Sequence, residues 1–264
     1  MIRKGSKGED VKRLQMLLGV EPADGIFGND TEKAVIAFQS AHGLTPDGIV
    51  GSLTWAALEK NRTTNKPVII LGTAHGSNTP GKRSPDGRLR EYAWSREVVS
   101  MIETELKAKG YHVEVDLRQD YEPGLALRIS IVNNLCTTYG VENCLYVSVH
   151  LNAAGMGDKW INASYWTVWT SLGQTKGDKL ATCIWNAANL LLPNKQKVKA
   201  DWRDGDVDYE KNFYVLKKTS CPACLTENLM QDNKTDVEWL MSDEGKRIIT
   251  DIHVKGIINY INGL

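Results

Sequence analysis

The sequence predicts two folded parts. Residues 1–60 should form a small all-α three-helix domain, and residues 67–264 an α/β domain on an open, largely parallel six-stranded sheet with helices on both faces. Three observations carry this. Asp24-Gly25-Ile26-Phe27-Gly28-Asn29-Asp30-Thr31 returns 23 positions later as Asp47-Gly48-Ile49-Val50-Gly51-Ser52-Leu53-Thr54. A polar stretch without periodicity, Asn61-Arg62-Thr63-Thr64-Asn65-Lys66, follows and reads as a linker. Beyond it, short apolar runs alternate with longer segments of helical period.

In the small domain a first helix carries Val11, Leu14, Leu17 and Leu18 at spacings of three and four. Each copy of the repeat then opens with Asp-Gly and a second glycine, a tight turn in which glycine supplies positive φ without steric cost. Thr31 and Thr54 stand where helix N-caps are expected, ahead of Glu32-Lys33-Ala34-Val35 and Trp55-Ala56-Ala57-Leu58. The middle helix should bury Ala34, Val35 and Phe38. A domain this small buries only about 60% of its chain surface, so Phe38 and Trp55 are expected in its core.

The larger domain begins with a buried-type strand at 68–71. Trp94, Val98, Ile102 and Leu106 mark one face of a helix, and Val113, Val115 and Leu117 alternate as a strand. Leu127, Ile131 and Leu135 give a second helix, followed by a strand at 145–150 and another at 164–169. Leu180, Ile184, Ala188 and Leu191 form the next helix. Strands are then expected at 213–216 and 223–227, and Ile248, Ile249 and Ile252 open the final helix.

Composition narrows the function. The chain has 264 residues with 32 Lys+Arg against 32 Asp+Glu. Zero net charge argues against nucleic-acid binding, which needs a basic excess. No apolar run approaches the ~18–20 residues of a membrane span. Met1-Ile2-Arg3-Lys4-Gly5-Ser6-Lys7 leads into charged residues with no apolar segment, so no secretory signal is expected. Five cysteines do not read as a disulfide framework, and synthesis in a reducing cytoplasm follows.

In open α/β sheets function collects beyond the carboxyl ends of the strands. His75 follows the first strand through Gly72-Thr73-Ala74, His150 terminates the third, and Glu227 closes the last. Glu91 opens the helix carrying Trp94 after a loop rich in turn formers and could swing over the same edge. Two imidazoles and a carboxylate are a known ligand set for catalytic Zn²⁺ with a fourth position open to water. Such water reaches a pKa of about 7. A second carboxylate must then take the proton and hand it to the leaving nitrogen. His42, His112 and His253 read as ordinary structural histidines. Cys221-Pro222-Ala223-Cys224 is a weak redox or metal signal and is expected to be a pair of buried thiols.

The longer patterns go further. Gly5-x-x-Gly8-x-x-Val11-x-x-Leu14-Gln15, Asp24-Gly25-Ile26-Phe27-Gly28, Ala37-Phe38-Gln39 and Pro46-Asp47-Gly48-Ile49-Val50-Gly51 with Thr54-Trp55 resemble the peptidoglycan-binding domain of cell-wall lytic enzymes. Ala74-His75-Gly76, Leu89-Arg90-Glu91, Ser148-Val149-His150-Leu151-Asn152-Ala153, Asn212-Phe213-Tyr214-Val215-Leu216 and Cys221 to Glu227 occur in this order. Together they resemble the N-acetylmuramoyl-L-alanine amidase family called amidase type 3. The resemblance implies His75, Glu91 and His150 as zinc ligands and Glu227 as the catalytic carboxylate. The implied reaction is hydrolysis, by a zinc-activated water, of the amide joining the lactyl group of N-acetylmuramic acid to L-alanine in peptidoglycan. Asn152 stands two residues past a ligand and is a candidate to orient substrate. The family usually has Asp-Pro-Gly-His-Gly-Gly around the first ligand, where this chain has Gly72-Thr73-Ala74-His75-Gly76-Ser77. Thr73 is therefore the candidate to replace the missing supporting Asp.

Two other readings compete. A zinc D-Ala-D-Ala-type peptidase shares Ser148-x-His150 with Asp158 nearby, but the register is off by one, and its later Glu-x-x-His would have to be supplied by His253. A wall-binding protein with a dead hydrolase domain is opposed by the presence of all four candidate residues. A wall-degrading enzyme without an export signal needs another route to the wall, which favours a phage endolysin over a secreted autolysin. Such a protein is made in the bacterial host cytoplasm, acts as a monomer on the cell wall, and depends on a holin-type membrane lesion.

Overall fold

In a computed structural model the described residues are all except 21, 65, 156, 157, 195, 196 and 264, and the side chains of 59–64 are also outside them. The chain divides into two compact units, Met1–Lys66 and Pro67–Leu264.

The first unit contains α1 (Glu9–Leu18), α2 (Asn29–Ala41) and α3 (Ser52–Thr64) around Val11, Leu14, Phe27, Val35, Phe38, Val50 and Leu58. Both helices after the Asp-Gly turns start three residues earlier than expected, so Thr31 and Thr54 are not N-caps. They are buried, and their hydroxyls meet a glutamine from the preceding helix at 3.2 Å in each case. Gln15 Nε2 also donates to Asp24 Oδ1 (2.8 Å) and the Ile26 carbonyl (3.1 Å), while its Oε1 accepts from Gly25 N (2.8 Å). Gln39 repeats this with Asp47, the Ile49 carbonyl and Gly48 N at 2.9, 3.0 and 2.9 Å. Gly25 and Gly48 have φ of +75° and +72°, which explains why each turn needs glycine. Residues 61–64, expected as linker, continue α3. Asn-Arg-Thr-Thr holds no helix breaker, and Pro67 is the first residue that disfavours helix in its predecessor. Asn65, the remaining linker position before Lys66, lies outside the described residues.

The second unit is built on a six-stranded sheet of order β2-β1-β3-β6-β4-β5. The strands are β1 (Val68–Thr73), β2 (Val113–Val115), β3 (Cys144–Asn152), β4 (Thr167–Thr170), β5 (Tyr209–Glu210) and β6 (Ala223–Met230). All neighbours run parallel except β4 and β6. The pleat sends alternate residues to opposite faces. Ile69, Leu71, Leu145, Val147 and Val149 pack under α4 (Glu91–Ala108), α6 (Lys176–Leu191), α8 (Lys234–Leu240) and α9 (Asp243–Ile261). Val68, Ile70, Cys144 and Tyr146 pack under α5 (Leu125–Tyr139) and α7 (Tyr214–Lys217).

Three expectations are corrected. Phe213–Leu216 is not a strand but the start of the four-residue α7, because a short apolar run does not reveal its own period. The edge strand is Tyr209–Glu210 instead. On α5 the buried face is Arg128, Ile129, Val132 and Cys136, while Leu127 is exposed. Both β3 and β6 run past the residues expected to end them, to Asn152 and Met230.

Candidate active site

His75 leaves β1 through Ala74 in a left-handed conformation, φ +44°. For a residue with a Cβ this costs about 1–3 kcal/mol and persists only where the surroundings impose it. Here two guanidinium groups impose it: Arg96 donates to the carbonyls of Ala74 and His75, both at 3.0 Å, and Arg128 reaches the His75 carbonyl at 3.5 Å. Ser95 adds a third tie, accepting from Ala74 N (2.8 Å) and donating to the Val149 carbonyl (2.7 Å). Gly76 follows because a Cβ there would lie 2.2 Å from the backbone nitrogen of Glu122.

Glu91 is positioned by a hairpin rather than by a loose loop. Ser84-Pro85-Asp86-Gly87 closes a turn with Gly87 N donating to the Ser84 carbonyl at 2.9 Å. Its arms pair through Ser84 N to the Leu89 carbonyl (2.9 Å) and Glu91 N to the Lys82 carbonyl (3.0 Å). Ser84 and Leu89 are buried, and Glu91 enters α4 as its first residue with its side chain wholly buried.

His150 and Glu227 are register partners on β3 and β6. Immediately beyond them the register slips between His150 and Asn152, a bulge of the kind that re-aims side chains beside functional sites. The structure thus brings His75, Glu91 and His150 together, with one donor atom from each within 4.8 Å of the others. Glu91 Oε1 lies 3.2 Å from His150 Nδ1 and 3.5 Å from His75 Nε2, and the two imidazole rings meet edge to face at 5.0 Å. Glu91 also accepts from Leu151 N (3.1 Å) and, through Oε2, from Gln231 Nε2 (3.2 Å).

A cavity of about 180 Å³ opens over this group, and its lining includes Thr73, Lys82, Arg128, Ser148, Phe213 and Glu227 besides the two histidines. Burial drives the His75 imidazole down to about 3, against the pull of Glu91, so it is neutral at pH 7 with a lone pair to offer. Burial would raise the Glu91 carboxyl, but its hydrogen bond to His150 and the two imidazoles hold it below the ordinary value. Glu227 moves the other way: burial first, then the charge of Glu91, push it well above the carboxylate range. Its Oε2 is buried with no hydrogen-bond partner among the described residues.

The other expectations divide. Asn152 is not among the residues lining the cavity, and its Oδ1 accepts from Ala153 N at 2.8 Å. The Thr73 hydroxyl does not support His75. It is engaged with Asp116 Oδ1 (3.3 Å) and the Leu117 carbonyl (3.0 Å). Asp116 instead pairs with the buried Arg128 at 2.5 Å, and it is Arg128 that reaches the first turn of the site. His253 is fully buried on α9, between the Ile249 carbonyl (2.7 Å) and Thr226 Oγ1 (2.8 Å). His42 bonds the Phe38 carbonyl and His112 faces Glu114. All five cysteines are free and buried. Sequence reasoning missed Gln231, Ser95 and Arg128. The signal for Gln231 was a polar side chain directly after an apolar strand run, and for Ser95 its place one helical turn beyond Glu91.

Comparison with known proteins identifies the family. The family model for N-acetylmuramoyl-L-alanine amidase matches residues 69–259, and a peptidoglycan binding domain model matches residues 7–58. An endolysin of Bacillus phage SPP1 is 26% identical over 195 residues, 74% of this chain. A zinc D-Ala-D-Ala carboxypeptidase of Streptomyces albus G is 43% identical over only 61 residues, 20% of this chain, too short a match to span the second unit. The chain spans 55% of the length of one further curated relative, 66% of the phage endolysin and 24% of the carboxypeptidase. An N-acetylmuramoyl-L-alanine amidase from Clostridium difficile 630 shares the fold with TM-score 0.62 at 21% identity, covering 75% of this chain and 98% of its own. The chain belongs to the N-acetylmuramoyl-L-alanine amidase family, with a peptidoglycan-binding domain before the amidase domain.

Proposed function

We propose that the second unit hydrolyses the amide between the lactyl group of N-acetylmuramic acid and L-alanine, and that the first unit holds the enzyme on the wall polymer. The observation that carries this reading is the convergence of His75, Glu91 and His150 beside the separate carboxylate Glu227. Two neutral-capable imidazoles and an ionised carboxylate suit Zn²⁺, and the family is typically zinc-dependent. When bound there, zinc polarises the scissile carbonyl and brings the pKa of its water to about 7.

The chain's own residues divide the remaining work. His75, Glu91 and His150 would hold the ion, with Gln231 and Leu151 N fixing the Glu91 carboxylate. Glu227 takes the proton of the attacking water and returns it to the alanine nitrogen as the C–N bond breaks. Burial and the charge of Glu91 push its carboxyl upward, the direction that favours the returning step. Likeness to the phage relative supports an endolysin role, in which the protein meets the wall from the cytoplasmic side through a membrane lesion. Among the described residues no helix is long and apolar enough to cross a membrane. Mass spectrometry of digested peptidoglycan tests the proposal: new L-alanine amino termini are expected, and new carboxyl termini within the stem peptide would overturn it.

A further inference from the structure

The hairpin that delivers Glu91 also builds a second cavity next to the first, about 330 Å³ in volume, lined by residues 77–83, Arg90 and Tyr92. Lys82 lines both cavities. Arg83 and Arg90 pair across an isolated antiparallel bridge, which sets two like charges directly opposite each other. Such an arrangement is destabilising unless something of opposite sign lies between them. Among the described residues lining the cavity none does. The lining contains three cations and no Asp or Glu; the Lys82 ammonium acts on the buried carboxyls of Glu91 and Glu227, while among the described residues no side-chain hydrogen bond or ion pair engages Arg83 or Arg90. Elsewhere on this hairpin cations are matched, as Arg88 is by Asp86 and Glu238. The remaining polar groups of the cavity, Ser77, Asn78 and Thr79, are small and suited to hydrogen bonding.

We propose that this cavity is a carboxylate subsite for the stem peptide, holding an acidic residue that follows L-alanine while the lactyl amide lies in the neighbouring cavity. The proposal rests on the amidase reading and deepens it by assigning a substrate class, an acidic rather than amidated stem. The rigid pairing of the hairpin means that one element sets both the Glu91 carboxylate and the peptide anchor. Two arginines on one ladder supply paired donors of the fork geometry that carboxylates accept.

The test uses the full chain and two synthetic muramoyl peptides that differ only after L-alanine, where one bears a free carboxylate and the other a carboxamide. Release of the L-alanine amine is followed by mass spectrometry. The wild type should prefer the carboxylate by about tenfold in kcat/KM, the size expected of charge-assisted hydrogen bonds at a partly exposed site. High salt should erode that preference. In the Arg83→Gln/Arg90→Gln double variant the preference should fall towards unity through KM, with bound zinc equal to wild type. Equal use of both peptides by the wild type, or a preference that survives in the double variant, overturns the subsite while leaving the amidase reading in place. Should the double variant fail to fold, the wild-type comparison and its salt dependence still decide. Cleavage of neither peptide at the lactyl–alanine bond overturns the amidase reading and the subsite with it.

Discussion

Replacing Glu227 by glutamine separates proton transfer from ion holding. The side chain keeps its size and its place opposite His150, but it no longer takes or gives a proton. Because Oε2 makes no hydrogen bond among the described residues, the substitution breaks none there. General acid–base help contributes about 10²–10⁴ in rate, or about 3–5 kcal/mol of barrier. Turnover of a muramoyl-L-alanine substrate should fall within that range while zinc per chain, measured by mass spectrometry of the metal, stays constant. The same variant should lose a pH slope. In the metal-free protein, burial and Glu91 put the folded-state pKa of Glu227 well above the ordinary carboxyl value of 4.5. Between those two values the folded chain keeps a proton that the unfolded chain has released, so stability falls as pH rises through the window. Metal-free Glu227→Gln should therefore be at least as stable as wild type at pH 7, with the difference closing towards pH 4. Turnover within threefold of wild type, or zinc lost together with activity, would refute the reasoning.

Three further outcomes follow from the same geometry. His75→Ala and His150→Ala should each reduce bound zinc towards zero and abolish the rise in Tm on adding zinc, which for wild type at a hundredfold excess over Kd corresponds to about 2.7 kcal/mol. His253→Ala should leave zinc and turnover unchanged and lower stability by about 2–4 kcal/mol, since a buried, doubly bonded ring is lost; a dead but folded variant would revive the peptidase reading. Gln15→Ala strips partners from Gly25 N and the buried Thr31, a loss of about 2–4 kcal/mol that a unit of this size can barely absorb. Sacculus pelleting should fail while soluble substrate is still cleaved, and normal pelleting would contradict this.

Much of the second unit was legible because its strands alternate or run apolar and its helices keep one face. The candidate site was legible because chemistry-bearing residues stand after strands in a known order of motifs. What stayed hidden was of a different physical kind. Nothing in Leu145–His150 or Ala223–Glu227 says that both strands continue to Asn152 and Met230 with a bulge between. β4 runs against β6, and that direction is set by the connections on either side of it rather than by the residues of β4. Thr31 and Thr54 look like caps on sequence alone. Only the position of Gln15 and Gln39 in space turns them into acceptors of a buried amide. The loop 76–90 reads as turn formers, and its pairing into a hairpin comes from contacts between its own arms.

The cross-strand pairing of His150 with Glu227 has a consequence for how such a domain can diversify. Neighbouring strands stand about 4.8 Å apart wherever a sheet is continuous. The gap between the His150 imidazole and the carboxylate proposed to carry the proton is thus locked by the backbone ladder, as on a ruler. Insertions in the surrounding loops can reshape what enters the cavity, yet they cannot stretch that interval without tearing β3 from β6.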